Sequence, residues 1–197
     1  MATTASAADL EIVPLTPDRW DDVATLFGEG GDPKSCWCAS FHIRGSVKRR
    51  PPAENRAVLT EITERGPAPG LVAYRDGRVV GWVSLGPRDS FQKLASPKAY
   101  PAVDDRPVWS IVCFVIDRQH RGRGLGRALL DAAIDHARAN GASTIEAYPI
   151  DPGDERIPTP IAYAGTLGMF ERAGFTVVGE RLAGTTRWPR PIVHLEL

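Results

Sequence analysis

A loop rich in glycine and arginine separates an apolar run from a helical pattern in the segment CFVIDRQHRGRGLGRALLDAA, residues 113–133. Glycines at alternate positions are interleaved with basic side chains, so that the loop reads Arg121, Gly122, Arg123, Gly124, Leu125, Gly126, Arg127. The first amide groups of a helix have no acceptor within the helix, and glycine lets an anion come close to the backbone. This order of strand, basic loop and helix start predicts a phosphate-binding loop, with a solvated basic turn as the alternative.

The rest of the chain predicts a single mixed α/β domain over residues 10–197, preceded by a flexible N-terminal tail over residues 1–9. Before the loop, the patterns first predict a strand over 10–16 and a helix that begins at Pro17 with Thr16 as its N-cap. An irregular stretch over 28–52 and a helix over 53–66 follow. The chain then continues as a hairpin over 70–87, which turns at Asp76-Gly77, and a connection over 88–107. The later patterns predict a central strand over 108–116 that is buried on both faces, a helix over 124–140, a strand over 143–149, a helix over 160–174 and two closing strands.

The charge balance gives no electrostatic reason to expect a nucleic-acid or membrane partner. The chain has 24 Lys and Arg residues and 24 Asp and Glu residues, so its formal net charge is zero. No apolar run approaches the ~20 residues of a membrane span, and the N-terminal segment lacks the features of a signal peptide. We therefore expect a cytoplasmic protein. The odd number of cysteines (Cys36, Cys38 and Cys113) argues against a disulfide framework, and the CWC stretch has no second ligand pair, so no metal site is predicted.

The spacing of the glycines argues against two common kinds of nucleotide-binding loop. Neither the dinucleotide pattern G-x-G-x-x-G nor the P-loop pattern G-x4-G-K-[S/T] fits. The stretch RGRGLG (121–126) instead fits R/Q-x-x-G-x-G/A, the acyl-CoA pyrophosphate loop of the GNAT superfamily of N-acetyltransferases. In addition, MFERAGF (169–175) resembles the F-Y-E-x-x-G-F element of that superfamily, and the order of elements is similar over residues 10–196.

The resemblance implies a fold class and a cofactor. The fold would be α/β, with a mixed, mostly antiparallel central sheet that contains a splayed parallel strand pair and is flanked by helices. The cofactor would be acetyl-CoA, whose pantetheine arm would lie along Phe114, Val115 and Ile116 as an added strand. The residues from Arg121 to Arg127 would hold the pyrophosphate, and Phe170 would also contact the cofactor.

The resemblance further implies direct attack of an amine on the thioester, which requires a group that takes a proton from the amine. Glu146 is the candidate general base. An ion pair between Glu146 and a neighbouring arginine is the alternative role for this residue. Asp151 and His120 are weaker candidates for the base.

A second proton must reach the thiolate of CoA. The family often uses a tyrosine at the position that Phe170 occupies here, and phenylalanine has no hydroxyl group. Tyr148 is the candidate substitute, because it shares a strand face with Glu146. Tyr163 and Thr166 are the other candidates.

The predicted acceptor is an amine of a small molecule, and the protein is expected to be a monomer or a homodimer. The acceptor pocket is expected to have aromatic walls and nearby acids, which would suit a cation. The candidate residues are Trp37, Phe41, His42, Trp82, Asp104 and Asp105. Two alternatives stay open: an acetyltransferase of protein lysines or N-termini, and a non-catalytic acyl-CoA-binding module.

Overall fold

A seven-stranded sheet forms the centre of the computed structural model, which describes residues 10–30, 35–181 and 187–197. The strands are β1 Leu10–Pro14, β2 Gly70–Arg75, β3 Arg78–Pro87, β4 Trp109–Ile116, β5 Thr144–Ala147, β6 Thr176–Glu180 and β7 Pro191–Glu196. The helices are α1 Trp20–Thr25, α2 Pro52–Arg65, α3 Leu125–Ala139 and α4 Leu167–Glu171. The predicted tail over residues 1–9 lies outside the described residues.

The strand order is β1-β2-β3-β4-β5-β7-β6, and every neighbouring pair is antiparallel except β4 and β5. The predicted fold class is therefore confirmed: a mixed, mostly antiparallel sheet with one parallel pair and flanking helices. None of the helices in the described ranges is long and apolar enough to span a membrane.

Helix α3 packs closely against the middle of the sheet. Its apolar stripe includes Leu125 and Leu129, which are 2% and 0% exposed, and burying a leucine stabilises a fold by about 1.5–3 kcal/mol. A Cβ atom on Gly81 of β3 would lie 3.1 Å from Leu129 and 3.2 Å from Leu125, so glycine is what allows this approach. The packing fixes the N-terminus of α3 beside the end of β4.

Strand β4 loses its neighbour halfway along its length. Its parallel pairing with β5 consists of Trp109 with Ile145, Ser110 with Glu146 and Ile111 with Ala147, and then stops. On its other edge β4 stays paired with β3 up to Ile116, with a register shift that leaves Val112 as an extra residue. A bulge of this kind bends a strand and often lies beside a functional site. Residues 112–116 therefore present one backbone edge that no strand of the described chain covers.

Two local predictions differ from the structure. The predicted helix over 160–174 is a 3-10 segment, Thr159–Ala164, followed by the short α4, because Gly165 has a φ of +75° and interrupts it. Thr16 has the extended backbone of an N-cap, but its hydroxyl accepts from Arg19 Nη1 at 2.7 Å and not from a backbone amide. The helix that it precedes begins with a 3-10 turn, Pro17–Arg19.

Candidate active site

The glycine loop lies between the end of β4 and the start of α3. Gly122 and Gly124 have φ values of +72° and +82°, a region that other residues rarely adopt, and Gly124 is the N-cap of α3. A Cβ atom on either glycine would meet no other atom within 4 Å, so the loop is open at both positions. Gly126 is more enclosed, because a Cβ there would lie 3.4 Å from Ile116 Cδ1.

The amide groups of residues 122–126 have no backbone acceptor in the described chain. In the described chain no backbone N–H of residues 122–126 donates to a backbone oxygen, whereas Arg127 and Ala128 donate to the Gly124 oxygen at 3.0 and 3.1 Å. The helix that follows has 15 residues, and its dipole favours negative charge at this end. The loop thus has the donors that an anionic group needs.

The three arginines of the loop have different surroundings. Arg121 Nε donates to the Ile116 oxygen at 3.0 Å and so closes over the end of β4. Arg127 pairs with Asp131 at 2.8 Å and also donates to the backbone oxygen of Arg172. Arg123 is exposed at the tip of the loop. Arg121 and Arg123 are therefore placed beside the open amides, while Arg127 is held back along α3.

The aromatic residues predicted to contact the cofactor form one cluster. Phe114 of β4 and Phe170 of α4 have ring centroids 6.2 Å apart, and Phe170 packs on Phe175 at 5.0 Å. Phe170 is 0% exposed. Val115 is buried on the opposite face of β4, and Ile116 is half-buried at its end. The cluster therefore packs against one face of β4 beside the free edge of that strand.

Glu146 lies in a buried network and not at an open surface. The residue is 1% exposed; Arg88 Nη1 and the Tyr148 hydroxyl donate to its Oε1, and His194 Nε2 lies 3.1 Å from its Oε2. Burial is the largest influence and raises the pKa of Glu146, but hydrogen bonds from His194 and Tyr148 and the charge of Arg88 outweigh it, so this pKa is lowered overall. Burial, followed by the charge of Glu146, raises the pKa of Tyr148 well above its usual value.

Arg88 connects this network to the chain that follows β3. Its Nη2 donates to the backbone oxygens of Leu94 and Tyr100 at 3.2 and 2.9 Å, and its Nη1 lies 2.6 Å from the Tyr148 hydroxyl. The guanidinium group thereby ties the 88–107 connection to β5. Removing the charge of Glu146 would leave Arg88 with two backbone oxygens and the Tyr148 hydroxyl as acceptors, and with no carboxylate.

A cavity of about 790 Å³ opens on the face of β4 that carries Cys113, opposite the face that carries Phe114. Its walls are the 35–48 segment, Lys93 from the 88–107 connection, Cys113 of β4, and parts of the chain near residues 161–163 and 187–190. The cavity thus reaches β4 one residue beyond the bulge, where β5 has already left its side. Phe41 and Tyr163 line this cavity.

Several residues expected in the acceptor pocket are elsewhere. Trp82 is 0% exposed and packs edge to face on Phe27, and Trp37 packs between Trp20 and Phe27, so both tryptophans belong to the core. His42 lines a second cavity, of about 600 Å³, between α2 and the end of β3. Asp104 pairs with Arg106 on the exposed surface at 2.9 Å and does not line the 790 Å³ cavity, and neither does Asp105. The expected acidic, cation-binding wall is therefore wrong for this cavity.

The cysteines near the cavity are free thiols. Cys38 Sγ lies 3.2 Å from Cys113 Sγ, and this hydrogen bond, followed by burial, raises the pKa of Cys38 well above its usual value. Burial is the main reason that the pKa of Cys36 is raised to about 12, so Cys36 and Cys38 are neutral near pH 7. The described residues contain no cluster of three or more His, Cys, Asp or Glu side chains that could hold a metal ion.

Comparison with protein families decides the classification. The model of the Acetyltransferase (GNAT) family matches residues 37–157, which is more than half of the chain. This chain belongs to the GNAT acetyltransferase family. The predicted membership of this family is confirmed.

Relatives of this GNAT protein include one curated protein that is similar over a short region. A mycothiol acetyltransferase of Propionibacterium freudenreichii subsp. shermanii is 39% identical over 75 residues, which are 38% of this chain but only 21% of that protein. The chain therefore spans about a fifth of the length of the curated relative that it matches.

Solved structures share the fold of this GNAT chain at low sequence identity. The Drosophila melanogaster polyamine N-acetyltransferase is 14% identical with a TM-score of 0.60, over 96% of this chain and all of that one. The Salmonella typhimurium protein yncA, solved with its cofactor acetyl-CoA, is 19% identical with a TM-score of 0.56, over 95% of this chain and 94% of that one.

The sequence analysis did not predict two residues of this GNAT chain's buried network, Arg88 and His194. Arg88 and Glu146 are 58 positions apart, and their contact depends on the register in which Gly86 of β3 pairs with Ser110 of β4, and Ser110 with Glu146 of β5. His194 faces Glu146 across the β5–β7 pair. The one available signal was that a lone acid in an apolar strand needs a partner.

Proposed function

We propose that this protein transfers the acetyl group of acetyl-CoA to an amine of a small molecule. The observation that carries the proposal is the uncovered edge of β4 over residues 112–116, which ends at the open amides of residues 122–126. A linear chain of amides can pair with such an edge as an added strand, and a pyrophosphate suits the helix start beyond it. A GNAT neighbour in the fold comparison holds acetyl-CoA, which agrees with this use.

The residues of the loop fit the anionic part of that cofactor. Gly122 and Gly124 leave open space on the loop, and their neighbouring amides lack backbone partners in the described structure, as a pyrophosphate cradle requires. We assign the pyrophosphate to the amides of residues 122–126 with Arg121 and Arg123, and the pantetheine arm to the edge of β4. Acetyl-CoA supplies an acetyl thioester, whose aminolysis gives an amide and the free thiol of CoA.

The 790 Å³ cavity is proposed to hold the acceptor. Its volume is within the range of about 300–1,000 Å³ that small-molecule pockets have, which favours a small amine over a protein side chain. An alkyl amine with a pKa of ~10.4 is only about 0.04% neutral at pH 7, so the site must help it lose a proton. We propose that the cavity's partial desolvation of the ammonium group contributes to this.

Of the tyrosines considered, Tyr163 is the one that lines this cavity. Tyr148 is 2% exposed, and its hydroxyl donates a hydrogen bond to Glu146. Neither of these residues lines the cavity. We therefore propose that Tyr163 donates the proton that the thiolate needs, and that Glu146 and Tyr148 are positioning residues. Their role would be to hold β5 and the 88–107 connection in place through Arg88.

The loop assignment is tested by calorimetric titration of acetyl-CoA into the Gly124→Asp variant. A carboxylate at this position should repel the pyrophosphate and weaken binding by about 100-fold or more, since a charge-assisted hydrogen bond or two would be replaced by repulsion. Gly141→Asp is the matched control, because Gly141 lies at the opposite end of α3 with a φ of +80° and equally open surroundings. Both variants carry the same backbone strain.

The two variants separate loss of the site from loss of the fold. Wild type and Gly141→Asp should both bind acetyl-CoA, and the two variants should melt at similar temperatures. Equal binding by all three proteins would refute the loop assignment. Binding by wild type without release of thiol on any amine would support the alternative of a non-catalytic acyl-CoA-binding module.

A further inference from the structure

The 790 Å³ cavity carries positive charge and no negative charge. Its ionisable cationic side chains are Lys48, Lys93, Arg187 and Arg190, and no carboxylate of the described chain lines it. The Cys36 and Cys38 thiols on its wall are neutral near pH 7, for the reasons given above. A cavity that is lined in this way repels a cationic ligand and attracts an anionic one.

Two of these cations are not available to a ligand deep in the cavity. Arg187 is exposed and forms an ion pair with Glu155 at 2.9 Å, so its charge is largely neutralised. Lys48 is exposed at the rim. The positive charge inside the cavity therefore comes from the other two residues, Lys93 and Arg190.

Arg190 is the strongest indication of a ligand. It is 7% exposed, and its Nε and Nη1 atoms are buried with no hydrogen-bond partner among the described residues. Its guanidinium group lies 5.5 Å from the ring centroid of Tyr163, the residue proposed above as proton donor. A buried charged donor without an acceptor is costly, at about 1–3 kcal/mol for each unsatisfied group and more where the group is charged. Such groups are rare in native proteins, and a bound ligand, an ion or an ordered water is what usually completes them.

Lys93 strengthens the same field. Its ammonium group donates to the Ser40 hydroxyl at 3.0 Å and lies 5.1 Å from the ring centroid of Phe41, and none of its described partners is a carboxylate. Burial, followed by the charge of Arg181, lowers the pKa of Lys93. An anion in the cavity would be attracted by Lys93 as well as by Arg190.

We propose that the acceptor carries an oxyanion group in addition to its amine, and that Arg190 binds this group. The acceptor would be an amino carboxylate or amino phosphonate, oriented with its anionic end at Arg190 and its amine towards Cys113 and the free edge of β4. This inference rests on the proposed function, because it names the substrate class of that site. The charge of the cavity excludes polyamines as preferred acceptors.

The test compares matched amines with and without an anionic group. The panel consists of amino acids, their carboxamides, their decarboxylated amines and their phosphonate analogues, each assayed for thiol release from acetyl-CoA and for binding by calorimetry. Wild type should favour the carboxylate or the phosphonate over the matched amide by about 10- to 100-fold in kcat/KM, mainly through KM, as the loss of a charge-assisted hydrogen bond implies. The ratio of carboxylate to phosphonate identifies the oxyanion.

The Arg190→Met variant should lose this preference. Methionine fills similar space without charge, so the ratio of carboxylate to amide should fall towards one while acetyl-CoA binding stays intact. Arg190→Lys should retain part of the preference, since it keeps the charge but not the planar group of donors. Arg75→Met is the control, because Arg75 also has a buried Nε without a partner but lies on β2, outside the cavity.

The outcomes separate this inference from the proposed function. If wild type favours amides or decarboxylated amines, or if Arg190→Met keeps the preference for anions, the inference is overturned while acetyl transfer stands. If acetyl-CoA binds but no anionic member of the panel binds or reacts, the inference is overturned as well. If acetyl-CoA itself does not bind, the proposed function fails first.

Discussion

Replacing Glu146 with glutamine should destabilise the folded protein while leaving most of its turnover in place. Glutamine keeps the size of the side chain but removes the charge with which Arg88 pairs. The side chain of Glu146 is 2% exposed and that of Arg88 is 19% exposed, so water replaces the lost partner poorly. A buried charge that loses its partner typically costs about 3–5 kcal/mol of unfolding free energy.

The cost for this pair should lie near the low end of that range. Arg88 keeps the backbone oxygens of Leu94 and Tyr100 as acceptors, and the glutamine oxygen can still accept one hydrogen bond. We therefore expect a loss of about 3 kcal/mol, which corresponds to a fall in melting temperature of about 6–12 °C for a domain of this size.

The destabilisation should depend on pH with a definite sign. The partners of Glu146 hold its pKa below the usual value of 4.5, so its stabilisation is complete above that pH and is lost as the pH falls through the lower folded-state value. The difference in melting temperature between wild type and Glu146→Gln should therefore be largest near neutral pH and shrink in acid.

Thermal melts over a pH series, together with kcat measured well below the melting transition, check this prediction. Glu196→Gln is the matched control, because Glu196 lies on the adjacent strand but is exposed and pairs with Arg106; its melting temperature should change little. The reasoning is refuted if Glu146→Gln melts like wild type and loses about 100-fold or more in kcat, which is the pattern of a missing general base.

Two further predictions concern other titratable groups. Tyr163→Phe should lower kcat by about 100-fold or more with little change in melting temperature, whereas Tyr148→Phe should lower the melting temperature because its hydroxyl donates to Glu146; wild-type kcat in Tyr163→Phe would remove it from the mechanism. Burial lowers the pKa of His42 from 6.5 to about 4, so the folded state holds this imidazole neutral where the unfolded chain is protonated. Stability should therefore fall by about 3 kcal/mol between pH 6.5 and pH 4, and an NMR titration midpoint near 6.5 for the His42 ring would contradict this.

The parts of the structure that the sequence predicted are those with local signals. Asp76 and Gly77 have φ values of +51° and +73°, as the predicted hairpin turn requires, because the dipeptide itself determines that backbone. The helix predicted over 124–140 is α3, Leu125–Ala139, and β4 is buried on both faces as its unbroken apolar run indicates. Turn chemistry and periodicity act over a few residues, so they can be read without knowledge of the fold.

The parts that could not be predicted depend on contacts between distant segments. Lys93 lies in a short 3-10 segment, Gln92–Ala95, and Arg190 directly precedes β7, and only the folded chain brings them to one cavity. The aromatic residue Trp82 illustrates the opposite case, since its type suggested a pocket wall but its position on β3 places it in the core. The sign of the cavity's charge therefore had to come from the structure.

The Arg88–Glu146 pair links the stability of the sheet to the geometry of the cavity. It spans β3, β4 and β5 at the level of Ser110, which is the middle of the three residue pairs that join β4 to β5 before the strands part. The same guanidinium group holds the backbone oxygen of Leu94, the residue after Lys93. Because one side chain fixes both the point where β4 becomes free and the segment that carries Lys93, loss of Arg88 should loosen the cofactor edge and the acceptor wall together. An Arg88 variant that weakened only the cofactor edge or only the acceptor wall would show that the two sites are held independently.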